Sequence, residues 1–120
     1  MKTVLVVDDM QAETTLLSNC LKKAGYLVRT AADGKQALED VSRQKPDAII
    51  SDWMMPEMGG LELCRNLRKN PTTADIPVIA YTVKDRDIDR KWAAKQGVSV
   101  YLIKPCTEDQ IIDAIKSVLG

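Results

Sequence analysis

The chain has 120 residues, a single domain's length, and 45% of them are apolar, enough for a core that needs no staples. Its 17 basic and 17 acidic residues cancel, so no global field draws it to nucleic acid or to an anionic membrane. It contains no histidine, which excludes a Ser-His triad, a histidine metal site and a phosphohistidine carrier within the chain.

Residues 3–7 read as a buried strand, short, β-branched and continuous rather than alternating. A helix follows over 11–24, where Ala12, Leu16, Leu17, Cys20, Leu21 and Ala24 recur at helical spacing and Gly25 supplies the stop. A second strand covers 26–31. Asp33-Gly34 turns the chain into a helix near 35–44, and Pro46 ends that region. The third strand is 48–51. Pro56 and Gly59-Gly60 make 53–60 a loop, and Leu61, Cys64 and Leu67 mark a short helix that stops before Pro71. Then come a strand at 77–81, a charged helix at 85–96 closed by Gly97, and a strand at 99–103. The last helix starts at Thr107, which stands three before Gln110 and so forms a capping box, and Ile111, Ile112, Ile115, Val118 and Leu119 are its apolar stripe.

The pattern is (βα)₅, without repeats or linkers. Right-handed crossovers then give a parallel sheet with helices on both faces, but periodicity does not set the strand order. Cys20, Cys64 and Cys106 are scattered, form no C-x-x-C pair, and read as reduced, small hydrophobes of a cytoplasmic protein. No apolar run approaches the roughly 20 residues of a membrane span, and Asp8-Asp9 interrupts the only apolar run near the N-terminus, unlike a signal peptide. The final helix is expected to run to the end of the chain, which fits either a small stand-alone protein or one domain cut from a larger one.

Four apolar runs each stop at a polar group: Asp8-Asp9, Asp52, Thr82 and Lys104-Pro105. In a parallel sheet these stops gather at the carboxyl edge, where open α/β sheets place their sites. Two carboxylates about 5 Å apart repel by roughly 3 kcal/mol at an effective dielectric near 20, so three clustered acids need a cation or a shared proton. An all-oxygen set without histidine suits a hard cation, Mg²⁺ above all. A divalent ion, an ammonium and a hydroxyl around one carboxylate are the parts of phosphoryl transfer to that carboxylate.

Asp8-Asp9, the run Asp52-Trp53-Met54-Met55-Pro56-Glu57-Met58-Gly59-Gly60, Thr82, and Tyr101-Leu102-Ile103-Lys104-Pro105 together resemble the response-regulator receiver domain of two-component signalling. The resemblance spans essentially the whole chain, 1–120, and implies a flavodoxin-like three-layer α/β sandwich with strand order 2-1-3-4-5. It implies that Asp52 is the phospho-acceptor and that Asp9, Asp52 and the Met54 backbone carbonyl hold Mg²⁺, with Asp8 acting through a bound water. Lys104 would pair with the phosphoryl oxygens and join Pro105 by a cis peptide. Thr82 would bond a phosphoryl oxygen, and Tyr101 would turn inward as the aromatic switch. The donor would be a sensor histidine kinase or a phosphotransfer protein. The output protein would bind over residues 84–119, with no direct contact to nucleic acid or membrane. The domain would catalyse only its own phosphorylation and dephosphorylation. A pseudo-receiver, the same fold used as a constitutive interaction module, is the alternative, and the occupied key positions argue against it.

The chain departs from the family at a few positions. Val83 follows Thr82 where Ala or Gly is usual, which narrows access to the phosphoryl group. Met54 and Lys84 occupy the positions that modulate water's approach to it. Tyr81 replaces a common aliphatic residue and Val98 a common alanine, both read as packing changes.

Overall fold

The computed structural model describes residues 1–55 and 58–119; Pro56 and Glu57 of the expected 53–60 loop, and Gly120, lie outside the described residues. Five strands alternate with five helices: β1 (Thr3–Val7), α1 (Gln11–Lys23), β2 (Leu27–Ala31), α2 (Gly34–Arg43), β3 (Ala48–Ser51), α3 (Gly60–Lys69), β4 (Val78–Thr82), α4 (Asp87–Lys95), β5 (Val100–Ile103) and α5 (Glu108–Leu119). The strands form one parallel sheet in the order β2-β1-β3-β4-β5.

The unbroken apolar strands are explained by burial on both faces. Val4, Val6, Ile50, Ile79 and Tyr81 pack against Leu17, Cys20 and Leu21 of α1 and Ile111, Ala114 and Ile115 of α5. The intervening residues Leu5, Val7, Ile49, Val78 and Ala80 face the other way, onto Ala37 and Val41 of α2, Leu63, Cys64 and Leu67 of α3, and Ala93 of α4. The result is a three-layer sandwich. Cys20 and Cys64 are buried, and all three thiols are free.

Several boundaries differ from the sequence reading for identifiable reasons. The buried stripe of α1 is Thr14, Leu17, Ser18 and Leu21 with Cys20, while Ala12, Leu16 and Ala24 face solvent. Two small hydroxyl residues thus replace expected apolar ones against the sheet. Strand β2 starts at Leu27 because the Tyr26 amide is used to close α1, donating to Leu21 O at 3.1 Å beside Gly25 at φ +97°. Strand β4 runs one residue further than expected and takes in Thr82, which pairs with Ile103. Helix α4 starts at Asp87 rather than 85, behind Arg86, whose guanidinium pairs with Asp89 at 3.1 Å. At α5 the capping box forms as expected: Gln110 N donates to Thr107 Oγ1 at 3.1 Å and Thr107 N to Gln110 Oε1 at 2.8 Å.

Gly60, expected in the loop, is the first residue of α3. A Cβ there would lie 2.2 Å from Trp53 Cε3 and 2.7 Å from Asp52 O, so the indole next to Asp52 packs directly on the start of α3. Gly60→Ala is expected to destabilise the fold by about 1–3 kcal/mol, the usual cost of overpacking. Urea unfolding monitored at Trp53 measures it, and the native emission should shift as the ring is displaced.

Candidate functional site

The register decides which side chains meet. Val7 pairs with Ser51 and Ser51 with Ala80, so the residues that follow on β1 and β3 leave the sheet side by side. The Asp52 amide donates to Val7 O at 2.9 Å and the Lys104 amide to Thr82 O at 2.8 Å, which extends the ladder one step past the strands. Side chains alternate along a strand. Val6, Ile50 and Leu102 face α1 and α5, and Asp8, Asp52 and Lys104 stand two residues beyond them. Ala80 and Tyr101 face the opposite helices, and Thr82 stands two beyond Ala80.

The Lys104 ammonium bridges the two central acids, 3.0 Å from Asp8 Oδ2 and 3.3 Å from Asp52 Oδ2. All three side chains are largely sequestered, exposed by 11%, 1% and 12% respectively. The second oxygen of each acid accepts a backbone amide, Met10 N on Asp8 Oδ1 at 2.9 Å and Met54 N on Asp52 Oδ1 at 3.1 Å. Burial alone would pull the Lys104 ammonium below its ordinary pKa. The Asp8 hydrogen bond and the charges of Asp52 and Asp8 outweigh it, and the net displacement is upward. Lys104 therefore stays charged across the neutral range. The Lys104–Pro105 peptide is cis.

Asp9 is exposed, and it brings a carboxylate oxygen within 4.8 Å of oxygens from both Asp8 and Asp52. Three carboxylates against one ammonium carry a formal charge of two negatives, which is what one divalent cation neutralises. The donors are all hard oxygens at a partly open edge, and that fits Mg²⁺, which keeps several waters and takes only one or two carboxylates directly.

Thr82 is fully buried. Its Oγ1 accepts the Lys84 amide at 3.4 Å, while the Tyr101 hydroxyl donates to Lys84 O at 2.8 Å. Thr82 and Tyr101 are therefore tied to the two backbone groups of one residue. Tyr101 is half-buried, its ring 5.9 Å from the Arg90 guanidinium, and its phenol is pushed above the ordinary pKa chiefly by burial. Val83 is 66% exposed and Met54 53% exposed. One residue that sequence alone assigns to packing also reaches this edge: the ring of buried Tyr81 lies 5.0 Å from Lys104 Nζ. Period-two alternation offered a signal for it, since Tyr81 shares the face of Leu102 and Lys104.

An α/β sheet with an acidic triad and a lysine at its carboxyl edge defines a class of regulatory phosphoryl-accepting domains. The family profile of the response regulator receiver domain matches residues 4–116, and the chain belongs to that family. It is 36% identical over 120 residues to Protein PilH of Pseudomonas aeruginosa, covering all of this chain and 99% of that protein. It is 36% identical over 118 residues to the alkaline phosphatase synthesis transcriptional regulatory protein PhoP of Bacillus subtilis, covering 98% of this chain but 48% of that protein. The chain thus spans about half the length of one relative and nearly all of another. Among solved structures, chemotaxis protein CheY4 of Vibrio cholerae superposes with a TM-score of 0.94 at 32% identity, covering 99% of both chains. The chain is a receiver domain of two-component response regulators, and a constitutive pseudo-receiver is not favoured.

Because Trp53 adjoins Asp52 and is nearly buried, its fluorescence should change as Mg²⁺ is titrated into the millimolar range. Asp9→Asn, which removes the most accessible carboxylate, is expected to shift that titration to higher Mg²⁺. A flat wild-type titration would count against a metal site here.

Proposed function

We propose that the chain is a phosphorylation switch in which Asp52 accepts a phosphoryl group from a phosphohistidine of a sensor histidine kinase or phosphotransfer protein. A carboxylate oxygen of Asp52 forms the new O–P bond, the N–P bond of the donor breaks, and its electron pair returns to the imidazole nitrogen. The observation that carries this reading is the bridging ammonium, since Lys104 lies against Asp52 where the transferred group arrives and can pair with its oxygens. Asp9, Asp52 and the Met54 carbonyl would hold Mg²⁺, with Asp8 acting through a bound water. That ion, when bound, would neutralise the charge that builds on the transferred oxygens. In the absence of a histidine in the chain, the imidazole must come from the partner.

The new group then acts on Thr82. A hydroxyl drawn toward a phosphoryl oxygen gives up its contact with the Lys84 amide. The segment carrying Lys84 moves, and with it the carbonyl that holds the Tyr101 hydroxyl. The consequence is a change over residues 84–119, the surface of α4, β5 and α5, where Ile88 and Trp92 are exposed. An output protein would read that surface, in the cytoplasm and without direct contact to nucleic acid or membrane. Among the described residues no helix is long and apolar enough to cross a membrane. The domain would catalyse only its own phosphorylation and dephosphorylation.

Acetyl phosphate with Mg²⁺ is expected to add one phosphoryl group, about 80 Da by mass spectrometry, and Asp52→Asn should abolish the gain. Unmodified wild type under those conditions would overturn the switch. The phosphoryl group should also be long-lived, because the Met54 thioether offers no strong hydrogen bond to orient water. A Met54→Asn, Lys84→Glu double variant is expected to hydrolyse faster than wild type in a phosphate-release assay; an equal or slower rate would refute this.

A further inference from the structure

Lys104 has a third neighbour besides the two acids. Tyr81 pairs with Leu102 across β4 and β5, and the Lys104 ammonium stands over its ring at 5.0 Å. The ring is 2% exposed, so the contact is shielded from water, where a cation over an aromatic face is held more strongly. The phenol stays neutral. Burial first, then the charge of Glu13, push its pKa up; Lys104 and a backbone hydrogen bond at Cys106 only partly offset them.

Glu13, in the first turn of α1, lies on the same side. Its Oε2 is buried and has no hydrogen-bond partner among the described residues, and its negative charge acts on both Tyr81 and Lys104.

The two acids that hold Lys104 are also the carboxylates that Mg²⁺ would draw on. A cation among Asp8, Asp9 and Asp52 would repel the ammonium and compete for the carboxylates that now pair with it. The stem of Lys104 is anchored at the end of β5, which restricts where its head can go. The favourable surface that already meets it there is the face of Tyr81.

We infer that Tyr81 is a positioning residue that holds the Lys104 ammonium beside the phospho-acceptor when a metal competes for its carboxylate partners. This rests on the proposed use of the acidic triad for Mg²⁺. Tyr81 contributes most in the metal-loaded state, where the carboxylates hold the ammonium less strongly, so removing the ring penalises that state selectively.

The test titrates Mg²⁺ against Trp53 fluorescence in wild type, Tyr81→Phe, Tyr81→Leu, Lys104→Met and the Tyr81→Leu, Lys104→Met pair. Tyr81→Leu is expected to weaken Mg²⁺ binding roughly three- to tenfold, a part of the full strength of a shielded cation–π contact because the contact also exists without metal. Tyr81→Phe keeps the ring face and should bind as wild type does. In the Lys104→Met background Tyr81→Leu should have no effect, which separates loss of the ring's hold on Lys104 from a general packing defect. A direct signature accompanies it. The Lys104 ε-methylene protons should be ring-shifted upfield in wild type and Tyr81→Phe, further so with Mg²⁺, and unshifted in Tyr81→Leu. Equal weakening by Tyr81→Leu with and without Lys104, or unshifted wild-type protons, would overturn the role of Tyr81 alone. A wild type that does not respond to Mg²⁺ at all would overturn the metal site and this inference with it.

Discussion

The Lys104 ammonium, set between Asp8 and Asp52, is the contact on which the carboxyl edge of the sheet depends. Asp8 is almost wholly withdrawn from water. A carboxylate in that position is tolerated only with a charged partner and with its remaining lone pairs occupied, and the Met10 amide and Lys104 meet both conditions. One ammonium cannot balance three acids. The edge is thus stable enough to be built but left short of positive charge, which suits the divalent ion and phosphoryl group of the proposed switch.

The sheet also separates two jobs by its faces. Asp8, Asp52 and Lys104 continue the face that packs on α1 and α5, with Tyr81 beneath the lysine. Thr82 and Tyr101 continue the face toward α4. Lys84 joins them, its amide held by Thr82 and its carbonyl by Tyr101. A single peptide segment held at both ends by hydroxyls is an element with discrete arrangements, since either hydroxyl released frees it to re-pair elsewhere. In the proposed switch this turns a change of charge at Asp52 into a change of shape some distance along the edge.

Much of this was legible in the residues. Continuous β-branched runs could only be strands covered on both faces, and Gly25, Pro46 and the Thr107–Gln110 box marked ends by local chemistry that needs no tertiary partner. The polar stops at Asp8-Asp9, Asp52, Thr82 and Lys104 were visible as a set because parallel strands must end on one edge. The α1 stripe was less legible: Thr14 and Ser18 are buried while Leu16 is exposed, since Thr14 is placed by a hydrogen bond to Met10 O as much as by hydrophobicity. The ends of β2 and β4 moved by one residue where a backbone group was claimed by a neighbouring element, and the start of α4 moved by two to lie behind the Arg86–Asp89 pair.

By itself the sequence determined the alternation of strand and helix, the layer architecture and the kind of chemistry at the carboxyl edge, because period, capping and residue type are local properties. The strand order, which periodicity left open, followed from the resemblance and is the one observed; tertiary structure alone decided the register and the pairing of Lys104 with both acids. It also decided the sharing of Lys84 between Thr82 and Tyr101, and the placing of Tyr81 under the ammonium. Each of these joins residues far apart in the chain through distances of a few ångströms, and no local pattern encodes such a distance.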